Sequence, residues 1–206
     1  MVGTEQGTVI SCNRKAKTAA EKIVAVYSGH HGPVYALQRN PLMQKNFLSV
    51  GDWTVRVIIF FVETVSITCT ILYQIWSEDV KESCIMWTKY HMSYLTDGCW
   101  SPTRPAVFFT TKMDGTLDVW DMIVKQNDSV LSVQVCDEPL HSIRMHEHGR
   151  LVACGSKEGT TTLLELSDNL HQLQKNEKQV VTGVRLNSKL STFFSSFLFA
   201  RCSRGK

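Results

Sequence analysis

Two histidine–aspartate combinations stand out for their chemistry: His30 with Asp52, and His91 with Asp114. An imidazole oriented by a carboxylate is a general acid–base unit, so each pair is a candidate catalytic centre. Neither has the company that catalysis requires. Ser101, Ser132, Ser142 and Ser167 lie outside any G-x-S-x-G setting, so no nucleophile elbow is signalled. No glycine-rich phosphate loop is present. His141, His146 and His148 fall close together, but without cysteine or carboxylate ligands at metal spacing they read as a solvated turn. Seven cysteines, at 12, 69, 84, 99, 136, 154 and 202, include no C-x-x-C pair. They read as small buried hydrophobes in a reducing compartment. No catalytic residue, cofactor or metal is expected, and the chain is not expected to be an enzyme.

The elements that carry these residues recur. Lys112 to Asp121 reads as a turn and a strand. Gly115 accepts positive φ, and Leu117 and Val119 alternate with Thr116 and Asp118 before Trp120-Asp121 closes the strand. His91 lies four residues before Leu95, as His30 lies four before Val34. Trp100-Ser101-Pro102 parallels Arg39-Asn40-Pro41. A later unit runs Leu140 to Arg144, Leu151 to Gly155, Glu158-Gly159 and Thr160 to Leu166, without the matching His or Trp-Asp. At the start, the turn Gly3 to Gly7 leads into Thr8 to Ser11, a polar loop over 13–22 and a β-leaning run from Ile23 to Tyr27.

The turn residues give the period. Glu158 minus Asp114 is 44, and Asp52 minus Gln6 is 46. Both fall in or near the roughly 40–45 residues of a WD40 blade. The expected fold is all-β: a partial WD40 β-propeller of about three blades plus part of a fourth. A propeller ring takes about 4–8 blades, so open edges and poor solubility are expected of the isolated chain.

Asp114 minus Asp52 is 62, which is 18 more than the other spacing. Removing Val57 to Gln74, 18 residues, turns the first unit into Asp-Trp-Thr-Val-Arg-Ile-Trp, the counterpart of Asp114 to Trp120. One excision repairs both the period and the Asp–Trp spacing. Three readings of residues 57–74 compete. A translated intron explains an insertion in mid-strand, and valine and glutamine codons permit the splice-site bases. A β-hairpin with Glu63-Thr64 at its tip comes second. A membrane span comes third, because the segment carries Glu63, is rich in β-branched residues and splits a repeat. The apolar run from Val57 to Val62 is an aggregation hazard wherever it is expressed. The domain reading is therefore an interrupted partial propeller over 1–181 and a divergent, poorly ordered tail over 182–206.

Composition agrees with an ordinary globular chain: 206 residues, 43% hydrophobic and 20% charged. A net charge of +3, with basic residues largely scattered, does not signal nucleic acid. The first residues lack a basic segment followed by an apolar core, so no secretory signal is expected.

Several stretches carry a family resemblance: Ser28 to Pro41, Asn46 to Thr54, Met86 to His91, Trp100 to Pro102 and Phe108 to Asp121. They resemble axonemal dynein intermediate chains, above all those of the outer arm, from about Gly3 to Val181 without 57–74. The resemblance implies the C-terminal propeller part of a longer chain, and a non-catalytic scaffold. The partners it implies are the dynein heavy chain, a second intermediate chain and light chains, with the microtubule doublet reached through the complex and no nucleic acid or membrane. The implied location is the cytoplasm and cytoskeleton, on the axoneme of a cilium or flagellum. A generic WD40 interaction adaptor is the alternative.

In such blades a His and a turn Asp hydrogen-bond through Ser or Thr to a Trp and brace the sheet. His30, Asp52 and Trp76 in one blade, and His91, Asp114 and Trp120 in the next, are expected to do this in place of catalysis. Trp53, at the turn where Gly115 stands in the next blade, is the candidate partner contact if it is exposed.

Overall fold

A computed structural model describes residues 1–28, 30–51, 93–125 and 128–181 in full, with the backbone of four short strands between 55 and 87. Asp52, Trp53, His91 and the tail 182–206 lie outside the described residues, and of Trp76 only the backbone is described.

The first blade holds β1 (Val2–Gly3) and β2 (Thr8–Cys12), then the one-turn helix α1 (Ala19–Lys22) and β3 (Ile23–Ser28). The helix falls in the expected polar loop and buries nothing. The second blade begins with β4 (Val34–Arg39) and β5 (Asn46–Gly51). A separate ladder of β6 (Val55–Val57) and β7 (Ile67–Cys69) follows, and β8 (Leu72–Ser77) and β9 (Met86–Trp87) complete the blade. The third blade is β10 (Leu95–Trp100), β11 (Val107–Lys112), β12 (Thr116–Asp121) and β13 (Leu131–Gln134). The fourth holds β14 (Leu140–Met145), β15 (Leu151–Ser156) and β16 (Thr161–Glu165), and the helix α2 (Asp168–His171) follows it. Each blade is an antiparallel meander in chain order. The four blade sheets thus hold three, four, four and three described strands, the partial propeller that the period implies.

The blades stack face to face, with β10 lying against β4 and β5 on one side and β14 on the other. A strand between two neighbours buries both faces. Phe108 therefore points to the cluster shared with Leu48, Val50 and Trp100, while Val107 and Phe109 point to the one shared with Ile143 and Val152. This is why Val107-Phe108-Phe109 shows no polar alternation. Phe108 stacks on Trp120 at 5.8 Å and meets Trp100 edge-on at 5.3 Å. Contacts of this kind add about 0.5–1.5 kcal/mol each beyond burial.

Three of the turns have one geometry. Gly7, Gly115 and Gly159 have φ of +81°, +82° and +88°, each ending the short loop of a hairpin: β1–β2, β11–β12 and β15–β16. The backbone N–H of each glycine donates to Thr4, Lys112 and Ser156 respectively. The unit with Glu158-Gly159, which has lost its Trp, keeps its turn because the turn needs only the glycine.

The second blade places Trp76 opposite Phe47, as Trp120 stands opposite Phe108. The excised spacing therefore identifies the right tryptophan. The ladder opposite Ser49, Val50 and Gly51 is made by Gln74, Tyr73 and Leu72. Those are the last residues of the 18-residue segment, standing where Arg56, Val55 and Thr54 were expected. The displaced Val55 and Arg56 pair instead with Cys69 and Thr68.

Candidate functional site

Two polar contacts of the second and third blades bear on the expected brace. In the second blade, His30 is buried in the loop before β4, and its Nε2 shares a 2.7 Å hydrogen bond with Ser49 Oγ on β5. In the third blade, the Trp120 indole Nε1–H donates to Thr110 Oγ1 on β11 at 3.1 Å. Ser49 lies two residues after Phe47 and Thr110 two after Phe108, so the hydroxyls hold the same place in their blades. A hydroxyl that both donates and accepts can link an imidazole above to an indole beside it. His30 and Trp120 each meet their own blade's hydroxyl, in different blades.

Asp114 takes another place. Its carboxylate Oδ1 accepts from the Thr116 N–H at 3.0 Å and the Thr116 hydroxyl at 2.5 Å, and Lys112 Nζ lies 3.9 Å from Oδ2. Among the described residues it bonds neither Thr110 nor Trp120. Burial alone would raise its pKa, but the Thr116 bonds, Lys112 and Ser93 outweigh it and hold the carboxyl below its ordinary value. Asp114 shapes its own turn, an Asx arrangement.

Several other polar candidates also serve the framework. Ser101 Oγ accepts from the N–H groups of Thr103 and Arg104, and Asn40 Oδ1 accepts from those of Leu42 and Met43. The parallel between Asn40-Pro41 and Ser101-Pro102 is therefore a shared turn. Ser132 Oγ donates to the buried Asp118, whose other oxygen meets Lys112 at 3.2 Å. His146 Nδ1 accepts the His148 N–H, and His141 stands apart on β14. Burial pushes the Cys154 thiol up to about 11, with Cys136 adding to the effect, and burial pushes Cys99 up as well. Neither is a nucleophile at neutral pH.

One polar centre escaped sequence reasoning. Arg104 is 2% exposed and sits between two carboxylates. Its Nη2 donates to Asp121 at 2.8 Å, its Nε to Glu177 at 3.1 Å, and its Nη1 to the Asn169 carbonyl at 2.9 Å. Glu177 also accepts from the N–H groups of Ala106 and Gln174. The Asp of the Trp120-Asp121 pair is thus tied to a segment 56 residues later, counting from Asp121 to Glu177. Val181 then packs into the cluster of Phe108 and Trp120. The segment after α2 is a strap across the third blade. Only the lone Glu177 within a polar stretch marked it, and neither period nor motif pointed there.

Repeated three- and four-stranded antiparallel meanders with glycine-ended turns define a WD40-type β-propeller. Residues 1–166 match the family model described as "Dynein axonemal intermediate chain 3 WD40 domain". The chain is 64% identical over 184 residues to "Dynein intermediate chain 3, ciliary" of Heliocidaris crassispina, covering 89% of this chain and 28% of that one. It is 62% identical over 184 residues to "Dynein axonemal intermediate chain 2" of Mus musculus, covering 89% and 27%. The Chlamydomonas reinhardtii "Dynein, 70 kDa intermediate chain, flagellar outer arm" is 48% identical over 185 residues, covering 89% and 30%. The chain belongs to the axonemal dynein intermediate chain family, and it spans under a third of the length of these relatives.

Proposed function

We propose that the chain acts as propeller scaffold in an outer-arm axonemal dynein, without catalysis of its own. The carrying observation is the high identity to ciliary and flagellar outer-arm intermediate chains across all four described blades. The polar geometry of the described residues supports it: His30 bonds a sheet hydroxyl, Ser101 and Asp114 cap turns, and Asp121 sits in a buried ion cluster. A rigid propeller with its polar groups so used offers surfaces, not reactive groups. In this reading the propeller binds the dynein heavy-chain tail. The second intermediate chain and the light chains join the same complex, which sits on the microtubule doublet and supports beating of a cilium or flagellum. The relatives' names support an axonemal location.

The test is co-purification of the tagged 206-residue chain from ciliated cells. Recovery of outer-arm heavy chain at stoichiometry is expected. A stable non-dynein partner in its place would replace this reading with that of a generic WD40 adaptor.

A further inference from the structure

The basic surplus of the chain is concentrated in one loop. Residues 13–22 join β2 to β3 and carry Arg14, Lys15, Lys17 and Lys22 against the single acid Glu21. The loop's formal charge is thus +3, equal to the net charge of the whole chain. Every residue in it but Ala16 is exposed, and the four cations form no ion pair with a described residue. The neck is closed by the Asn13 N–H, which donates to the Lys22 carbonyl at 2.8 Å. The Lys15 N–H donates to Asn13 Oδ1 at 3.0 Å and sets the first turn. Beyond that turn, Ala16 to Thr18 make no hydrogen bond to any described strand. The loop is therefore held at its base and open along its length.

Thr18 stands in the middle of it. Its backbone is extended, with φ −100° and ψ 151°, and its hydroxyl caps nothing although α1 follows. Arg14, Lys15 and Lys17 lie four, three and one residues before it. No other exposed hydroxyl among the described residues has such a set. Thr160 and Thr161 follow Lys157, but Glu158 lies between. Ser28, Ser132, Ser142 and Ser167 have no Lys or Arg in the four residues before them. Protein kinases choose substrates by the charge pattern around the acceptor, and they need it exposed and its hydroxyl uncommitted. Thr18 meets all three conditions.

We propose that Thr18 is a phosphorylation site for a basophilic serine/threonine protein kinase, with Arg14, Lys15 and Lys17 read by carboxylates of the kinase's substrate groove. Thr18 Oγ1 attacks the γ-phosphorus of ATP. The Oγ1–P bond forms as the bond from phosphorus to the ADP oxygen breaks, and the hydroxyl proton passes to the kinase's catalytic carboxylate. The products are phosphothreonine and ADP. The phosphate adds about −1.5 to −2 charges at neutral pH, so the loop falls from +3 to about +1. Its oxygens can accept from the same cations that recruited the kinase. The modification thus removes most of the chain's basic surplus without touching a sheet, a turn glycine or the buried ion cluster. It goes beyond the scaffold reading and does not depend on it.

The full chain is incubated with radiolabelled ATP and either of two basophilic probes, the cyclic-AMP-dependent kinase or the calcium- and lipid-dependent kinase. An acid-directed casein kinase is the control. Label on Thr18, located by mass spectrometry, is expected from at least one basophilic kinase and at least about 10-fold less from the control. Thr18→Ala should remove that label, and Thr18→Ser should restore it. Arg14→Gln with Lys15→Gln should lower kcat/KM at least about 10-fold while Thr18 is intact. The folded chain should be labelled within about 10-fold of a synthetic peptide of residues 11–24, because the loop needs no unfolding. Tryptophan fluorescence checks that each variant is folded. No label on Thr18 from either basophilic kinase, or label indifferent to Arg14 and Lys15, overturns the proposal. Labelling of the folded chain more than about 100-fold below the peptide overturns it as well. In ciliated cells given a phosphatase inhibitor, the tagged chain should carry phosphate on Thr18, and peptides covering Thr18 without phosphate would refute the site.

Discussion

Glu177→Ala isolates what the strap contributes. The Glu177 side chain is fully buried, and its carboxylate accepts from Arg104 Nε, the Ala106 N–H and the Gln174 N–H. Truncation leaves a buried charged donor without its acceptor, worth about 1.5–3 kcal/mol, and at least one backbone N–H, worth about 1 kcal/mol more. Arg104 keeps Asp121 and the Asn169 carbonyl, so its charge stays compensated. That places the loss at the lower end of the range for a broken buried pair, about 3 kcal/mol. For a chain of this size the melting temperature should fall by about 6–12 °C. Glu177→Gln keeps an oxygen for the guanidinium and should cost only about 1 kcal/mol. Urea unfolding followed by tryptophan fluorescence measures both. Hydrogen exchange locates the effect, with residues 167–181 opening before the sheets. An alanine variant within about 1 kcal/mol of the parent, or unchanged exchange in 167–181, would show that the cluster does not hold the strap.

Other outcomes follow from the turns, the acid side and the inserted segment. Gly159→Ala should cost about 1–2 kcal/mol, the left-handed strain alone, because nothing lies within 4 Å of its added methyl. Gly115→Ala adds a clash 1.9 Å from the Cys136 carbonyl oxygen and should cost about 1–3 kcal/mol beyond that, both read by urea titration. The carboxyl of Asp114 is held below its ordinary value, so its stabilisation is present above about pH 4 and fades as pH falls further. Asp114→Asn should thus lower the unfolding midpoint at neutral pH and converge with the parent in strong acid. A chain lacking 57–74 should fold with the same or a higher midpoint and scatter less light on concentration, since the run from Val57 to Val62 is gone. Failure of that shortened chain to fold would show that Leu72, Tyr73 and Gln74 cannot be replaced in the ladder.

What was legible in the sequence is whatever repeats. Gly7, Gly115 and Gly159 mark the same loop because only glycine suits that φ, so a degenerate blade without its Trp still keeps time. Trp76 was found through the spacing alone because a strand's register fixes which residue faces Phe47. The residue types expected in a brace were readable, but not the partner each takes. Asp114 turns to Thr116, a local choice between equally near donors that spacing does not decide. The ion cluster was invisible for a different reason. Arg104 and Glu177 are 73 residues apart, occur once, and meet only through the chain's path across the blade.

The same distinction bears on where function can reside. A position that repeats with its residue type intact is there for the fold: the glycines, and the paired hydroxyls Ser49 and Thr110. A position that repeats in geometry but not in type is released from that duty. The bulges at Tyr35, Thr96 and His141 are of this second kind, since each slip keeps its place while the side chain changes from aromatic to hydroxyl to imidazole. Packing does not explain the difference, because Tyr35 is half exposed and His141 is exposed. The inserted segment makes the complementary point. Leu72, Tyr73 and Gln74 occupy ladder positions meant for Thr54, Val55 and Arg56, and the register of Trp76 is undisturbed. A strand interior between two sheets specifies pairing and alternation and tolerates many residues that meet both. The blade is thus permissive in its middle and exacting at its turns and buried charges.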